Sequence, residues 1–561
     1  MKIRKHAVMI LVGLALVLVL GRMLLTLRWR MLHDSPLMLY VALLIDRHDA
    51  VPYRDIFDMN LPGTYLVNLA LAKTLGYSDL AFRIFDLLHL TALTALTYLW
   101  TRRIHRYIAY FSVVFLPLVY LSCGPVMSLQ REALALLPFS SSLAVIFNRR
   151  PEGRRGRAAI VGLLWGLCAL IKPFILIGAV PVLIHIMRRP RGASSEPEVL
   201  AGGRAAVLTA DRAGMDAAAR AGGGPDRAAT PAVIGAGVAG FLLPAGVTLV
   251  YLALTGALRP FVEIVADYIP LYARLTGDHV PIGGAERFWY LLRMTGAGLR
   301  EAFWLIPGIC GLAVLTLRPR LLRSASPEGS ARPAGSTSPR SFAPLLAGMM
   351  LGFAVYPALS GQFWFYHWLP FTYAAVIAAG ACLVPPGGAR SRPARIIARI
   401  MPVMLIAVFV GLFVTGEARM TRADYEAWRE QAPLVVWNGV PDRVAEYLGA
   451  NLRPGDTVQP LDWNGGAVHG MLLARAGLAT RFMYDFHFYH HVDSPFIEKL
   501  RREFIQELRS SPPRFIVDIA RDKSRVHGPN TTGDFRALSD VIRRRYRIAM
   551  RDPSFIIYER R

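Results

Sequence analysis

The sequence predicts a polytopic α-helical membrane protein with a small soluble α/β domain at its C-terminal end. Three observations predict it. Of 561 residues, 54% are hydrophobic and 18% are charged, whereas a soluble domain carries about a quarter charged residues. The apolar residues gather into runs of the length that crosses a hydrocarbon core. Past residue 415 those runs stop, charge density rises, and strand-like segments alternate with helical ones. The mean hydropathy of +0.36 excludes a soluble enzyme, a secreted disulfide scaffold and a fibrous repeat. Disorder is excluded too, because such chains are poor in apolar residues.

Residues 8–27 form the first span, preceded by the positive stretch MKIRK. It reads as an uncleaved helix, because Arg28, Trp29 and Arg30 follow it where a signal peptide would carry small residues. Further apolar runs lie near 84–101, 107–122, 132–147, 159–171, 173–187, 233–255, 301–317, 342–358, 369–384 and 400–415. The stretch around Lys172–Pro173 is too long for one span. It divides there, since proline breaks helices and restrains the residue before it. About eleven crossings result, over a transmembrane domain of residues 1–415.

Charge tests this threading. Loops expected inside carry RRIHR (102–106) and NRRPEGRRGR (148–157), seven Arg over 188–232, five over 318–341 and four over 385–399. The loops expected outside, 28–83 and 256–300, are mixed in sign. That is the positive-inside pattern. It also accounts for the net charge of +25 without nucleic acid; the basic loops meet membrane lipids instead. The segments 190–231 and 324–340 read as flexible loops. Cys123, Cys168, Cys310 and Cys382 have neither metal spacing nor a disulfide pattern.

The eleventh span delivers residues 416–561 outside as an extracytoplasmic α/β domain. Strands are expected at 457–462, 513–520 and 554–560, and helices near 441–452, 466–477, 495–510 and 534–545. No glycine-rich phosphate fingerprint follows these strands. The cluster DFHFYHH (485–491), with Asp462 and His469, does not match a metal-ligand spacing. It reads as packing, with sugar contact as the other reading. The Asn530-Thr531-Thr532 sequon is expected to carry no function in a bacterial-looking chain.

The first outer loop is the informative stretch. It is too long and too apolar for a connector. Ser35-Pro36 opens a helix, and Leu37, Val41, Leu44 and Ile45 repeat at helical spacing, which suits a helix lying in the interface. PYRDIFDMNLPG is a turn-rich insert, and a second helix follows from about Pro62 to Leu75.

Asp34, Pro52-Tyr53-Arg54-Asp55, Pro62-Gly63 and Arg83, followed by SLQREALALLP (128–138), GLLWGLCALIKP (162–173) and GQFWFYHWLP (361–370), resemble the GT-C superfamily of polytopic glycosyltransferases. The resemblance is to the bacterial branch related to protein mannosyltransferases and the lipid A aminoarabinose transferase. It covers residues 8–415 and, more loosely, the outer domain. It implies an inverting enzyme of the bacterial inner membrane with its site on the outer face. Its partners would be a polyprenyl-phosphate sugar donor, an extracytoplasmic acceptor (glycan, lipid or protein) and membrane lipids, with no nucleic acid. Relatives commonly carry two adjacent acids after the first span; this chain has His33-Asp34.

Such a transfer needs a carboxylate to take the acceptor's proton and cations or donors to hold the departing phosphate. Asp34 is the expected base; its other reading is a helix cap. Asp55 and Asp58 are further catalytic candidates, as acceptor contacts, a second acid or holders of a divalent cation; their other reading is turn chemistry. No other cofactor is expected. Arg83, Arg131, Lys172 and His367 are expected at the donor phosphate, against snorkelling for the cations and an interfacial aromatic belt around His367. Tyr53, Arg54, Gln130, Glu132 and Tyr366 are the expected substrate contacts, with Glu132 alternatively a partner for Arg131. Three other functions remain open: a flippase or transporter of lipid-linked sugars, a polysaccharide polymerase or ligase using a diphosphate-linked donor, and a non-catalytic scaffold. The flippase reading lacks the inverted repeats of many transporters.

Overall fold

The computed structural model describes residues 2–147, 153–187, 226–322, 342–384, 392–430, 439–463, 465–519 and 534–561. The sequon at Asn530, and most of the two segments read as flexible loops, lie outside the described residues.

Every one of the eleven apolar runs is helical. Among the described residues, five helices are by themselves long and apolar enough to cross a membrane: Met9–Arg28, Asp79–Thr101, Pro231–Leu254, Ala343–Ser360 and Ile400–Arg429. Gly284–Glu301 and Leu305–Thr316 form a pair bent by 78°, which would make a sixth as one broken span. The remaining runs fold as shorter helices, among them Arg106–Ser122, Arg131–Phe147 and Leu369–Ala379. Leu369–Ala379 is buried along almost its whole length, so neighbouring helices rather than lipid cover it. The last long helix, Arg392–Arg429, continues through residue 415, so the expected domain boundary falls inside a helix. Its C-terminal half is fixed to the end of the first helix: the Arg22 guanidinium pairs with Glu417 at 3.3 Å and with Asp424.

Two helices of the 28–83 loop position the site: α1, Ser35–His48, and α2, Pro62–Leu75. Both begin on a proline step, where the missing N–H costs nothing. The sequence suggested that α1 lies in the membrane interface. Instead Ser35–Leu44 is buried on every face, as befits a helix that is apolar all round. The C-terminal domain covers it, and the Tyr40 hydroxyl donates to the Ala476 carbonyl at 2.9 Å.

That domain is a five-stranded mixed sheet in the order β2-β1-β3-β5-β4, with β1 Thr457–Leu461, β2 Gly477–Leu478, β3 Phe515–Ile519, β4 Tyr546–Arg551 and β5 Phe555–Arg560. The first three strands pair in parallel and the last two antiparallel. Helices Val440–Asn451, Ala467–Ala474, Pro495–Ser510 and Arg536–Arg545 occupy the positions that the sequence indicates. Strands β2 and β4 were not expected: β2 has two residues, and β4 is largely exposed, so neither has an apolar run.

Helix α2 packs closely on the helix Arg154–Ile171, whose C-terminal end carries Lys172. A Cβ at Gly63 would lie 2.7 Å from the Leu170 carbonyl oxygen and 2.8 Å from the Ile171 side chain. Gly63→Ala is therefore expected to cost about 1–3 kcal/mol through overpacking, read as a lower thermal midpoint of the detergent-solubilised protein. Gly13→Ala, where a Cβ meets nothing within 4 Å, is the control and should not lower it.

Candidate active site

Arg131 opens the helix α3, Arg131–Phe147, and stands between the two halves of the first outer loop. Its guanidinium donates through Nη2 to the Asp34 carboxylate and through Nη1 to the Asn60 side-chain oxygen. Its Nε is buried and has no hydrogen-bond partner among the described residues, so that N–H remains available to a ligand. Asp34 occupies the N-cap position of α1, yet its side chain makes no capping bond. The carboxylate is turned to Arg131, and His33 Nδ1 lies 3.0 Å from its other oxygen. Burial alone would raise the Asp34 carboxyl; His33, Arg131 and Lys172 outweigh it and hold the group well below the usual carboxylate range. His33 reaches this position with φ of 60°.

The next residue, Glu132, builds a second cluster. Lys172 Nζ lies 3.4 Å and His367 Nε2 3.7 Å from Glu132 Oε1, and the Tyr356 hydroxyl donates to the same oxygen. Glu132 Oε2 is buried without a hydrogen-bond partner. Lys172 sits where its helix ends at Ile171, in extended conformation before Pro173. His367 lies in the short turn Phe365–Trp368 and accepts from or donates to the Ser360 hydroxyl through Nδ1 at 3.0 Å. Burial pushes its imidazole down to about 3, Glu132 opposing and Lys172 and Arg131 assisting. Tyr366 is buried beside it and packs edge-on against the His33 ring, with centroids 5.6 Å apart.

Asp58 is buried and saturated. Tyr484 donates at 2.5 Å, Tyr65 at 2.7 Å, the Met59 backbone N–H at 2.7 Å and the Asn60 amide at 3.0 Å to each oxygen. Its oxygens are taken up by protein donors, and through Asn60 it adjoins Arg131. Asp55 is engaged elsewhere: Arg54 clasps it through two nitrogens at 2.8 and 2.9 Å, and it accepts from the Val51 N–H at 2.8 Å. Arg54 and that backbone bond outweigh the upward effect of burial and hold its carboxyl low. Arg54 also donates to the Thr255 carbonyl, and the Tyr53 hydroxyl donates to the Asn60 carbonyl at 2.7 Å. Tyr53, Arg54 and Asp55 thus shape the turn and do not enter the cluster. A divalent ion does not fit Asp55 and Asp58, whose oxygens already accept N–H and O–H groups. No group of three or more His, Cys, Asp or Glu among the described residues is arranged to hold a metal.

Arg83 is a further correction. It does not reach outward to a phosphate. It is 1% exposed, pairs with Asp86 one helical turn on, donates to Thr26 and Ser128, and lies over the Trp29 ring at 4.6 Å. The i,i+3 Asp86 was a visible signal for this pairing. Gln130 turns its amide back to the Val126 carbonyl at 2.8 Å. The structure therefore unites Asp34, Arg131, Glu132, Lys172, Tyr366 and His367, and adds Asn60, Tyr356 and His33, which the sequence does not single out.

No family model and no characterised protein sequence matches the chain. Solved structures do. ArnT from Cupriavidus metallidurans bound to undecaprenyl phosphate aligns over 98% of this chain and 97% of its own, at 12% identity and a TM-score of 0.51. The same protein in the apo state aligns over 98% of each chain at 12% identity and 0.50. The Archaeoglobus fulgidus oligosaccharyltransferase in complex with Zn and sulfate aligns over 97% and 73% of the two chains, at 13% identity and 0.45. This chain, a multi-pass membrane protein, shares the fold of ArnT over almost its whole length.

Two outcomes follow from the burial of these charges. Arg83→Ala strands Asp86 and should cost about 3–5 kcal/mol, seen as loss of monodisperse protein in detergent. A well-folded Arg83→Ala that fails to bind phosphate lipid would restore the phosphate role. For His367, the ordinary imidazole value is about 6.5, so between there and about 3 the unfolded chain binds a proton that the folded chain refuses. Its effect on stability is therefore nil above pH 6.5 and grows more destabilising as pH falls toward 3, by about 1.4 kcal/mol per unit. The thermal midpoint of His367→Gln should fall less steeply than wild type between pH 6.5 and 4.

Proposed function

We propose that this chain transfers a sugar from a polyprenyl-phosphate donor to an extracytoplasmic acceptor, with inversion at the anomeric carbon. It would work in the bacterial inner membrane with its site on the outer side. The observation that carries the reading is the arrangement around Arg131: an ionised carboxylate on one side, and a buried, unpartnered Nε with Lys172 close by. That this constellation stands in the fold of a protein seen with undecaprenyl phosphate supports it.

The acceptor hydroxyl attacks the anomeric carbon from the face opposite the phosphate. A bond from acceptor oxygen to carbon forms, the carbon–oxygen bond to phosphate breaks, and polyprenyl phosphate leaves with the electron pair. Asp34 takes the hydroxyl proton. Arg131 and Lys172 balance the charge that grows on the phosphate. Glu132 Oε2 offers an acceptor for a sugar hydroxyl.

A phosphate seated on Arg131 and Lys172 offsets part of the positive field on Asp34, whose other source is His33, and so raises its basicity.

The test is transfer of radiolabelled sugar from polyprenyl phosphate in membranes. Asp34→Asn is expected to lose about 10²–10⁴-fold in turnover and Lys172→Ala about 10²–10³-fold, both inserting normally. Asp34→Asn with most of its turnover intact would remove the base from this scheme. A wild-type chain that consumes no donor but moves lipid-linked sugar across liposomes would be a flippase.

A further inference from the structure

Asp58 and the C-terminal domain meet at one hydrogen bond, and that bond bears on Arg131. A carboxylate only accepts. Asn60, with its amide nitrogen 3.0 Å from both Asp58 oxygens, must present its N–H groups to Asp58 and its oxygen to the opposite side. That oxygen receives Arg131 Nη1. A flipped Asn60 would set N–H against N–H at Arg131 and oxygen against oxygen at Asp58. Asp58 therefore fixes which way Asn60 faces, and Asn60 fixes where the guanidinium lies.

Asp58 is itself held by two hydroxyls. Tyr65 belongs to α2, a few residues on. Tyr484 comes from the C-terminal domain, 426 residues away, and makes the shorter bond at 2.5 Å. Its ring is stacked on Phe486 at 5.3 Å, and the Phe57 N–H donates to the Arg481 carbonyl at 2.7 Å alongside. The strand of hydrogen bonds runs from Tyr484 through Asp58 and Asn60 to Arg131 and ends on Asp34.

We propose that Tyr484 is a positioning residue for Arg131, acting through Asp58 and Asn60, so that the C-terminal domain is part of the phosphate site and not an appendage to it. The inference rests on the phosphate-binding reading of Arg131 given above.

The experiment uses the full chain in nanodiscs and measures undecaprenyl-phosphate binding, turnover and thermal midpoint together. Tyr484→Phe removes one hydroxyl and keeps the ring. It should weaken undecaprenyl-phosphate binding about three- to tenfold, the range of a coupled contact, and raise the donor KM with kcat within about twofold. Asn60→Ala should weaken binding as well. In the Asn60→Ala background, Tyr484→Phe should weaken binding no further, although its effect on the thermal midpoint persists. Tyr65→Phe loosens Asp58 from the other side and should repeat the binding result if Tyr484→Phe does not fold.

A Tyr484→Phe protein that binds as well as wild type overturns the proposal. So does one whose loss is the same with and without Asn60. A wild-type chain that fails to bind undecaprenyl phosphate overturns both this inference and the proposed function, and is told apart by its failure before any substitution is made.

Discussion

One buried guanidinium sets the terms for everything around it. Arg131 stands at the first residue of α3, where the helix end offers no carbonyls to receive it. It is held by Asp34 near the start of the 28–83 loop and Asn60 near its middle. The loop must therefore fold back on itself, and α1 and α2 take their places on either side of that closure. Leaving such a cation unpaired out of water costs several kcal/mol, which fixes the loop more firmly than its helices alone could.

The C-terminal domain answers a second demand. An apolar helix such as α1 cannot lie bare in water, and the domain buries it. Polar bonds then set the register of that cover. Asp79 accepts from Arg30 and from the Met31 N–H, and His469 Nε2 of the domain lies 3.3 Å from it. Arg30 reaches on to Asp442 at 3.0 Å. Lys499 meets Glu263 at 2.9 Å. Charges that look scattered in the sequence thus fasten one domain to the other, and few of them belong to the chemistry.

Much of this was legible beforehand, and the reasons are physical. Apolar runs, proline steps and the Lys172–Pro173 break act locally, so they appear in sequence order and the helices follow them. Arg131 and Lys172 could be picked out because an ionisable group at membrane depth is expensive, Asp34 because it follows the first span in the resembling pattern, Glu132 as the neighbour of Arg131 and His367 from its aromatic turn. The same rule misled at Arg83, since an expensive charge is equally well satisfied by a buried partner. Asn60 was missed because a lone asparagine in a turn looks like any other turn residue. Tyr484 was missed because nothing local ties it to Asp58. The burial of α1 was missed because a lipid interface and a protein roof ask for the same apolar residues.

The backbone at His33 carries a final consequence. Its φ of 60° lies in the left-handed region, which β-branched and bulky side chains avoid and which histidine, asparagine and aspartate tolerate. An aspartate at this position, giving the two adjacent acids of the pattern that the sequence resembles, would need no rearrangement of the chain. The ring now at position 33 and the carboxylate it replaces are thus alternatives in one mould. What distinguishes this chain from the two-acid pattern is one negative charge beside Asp34, exchanged for an imidazole that rests among Trp364, Tyr366 and Trp463.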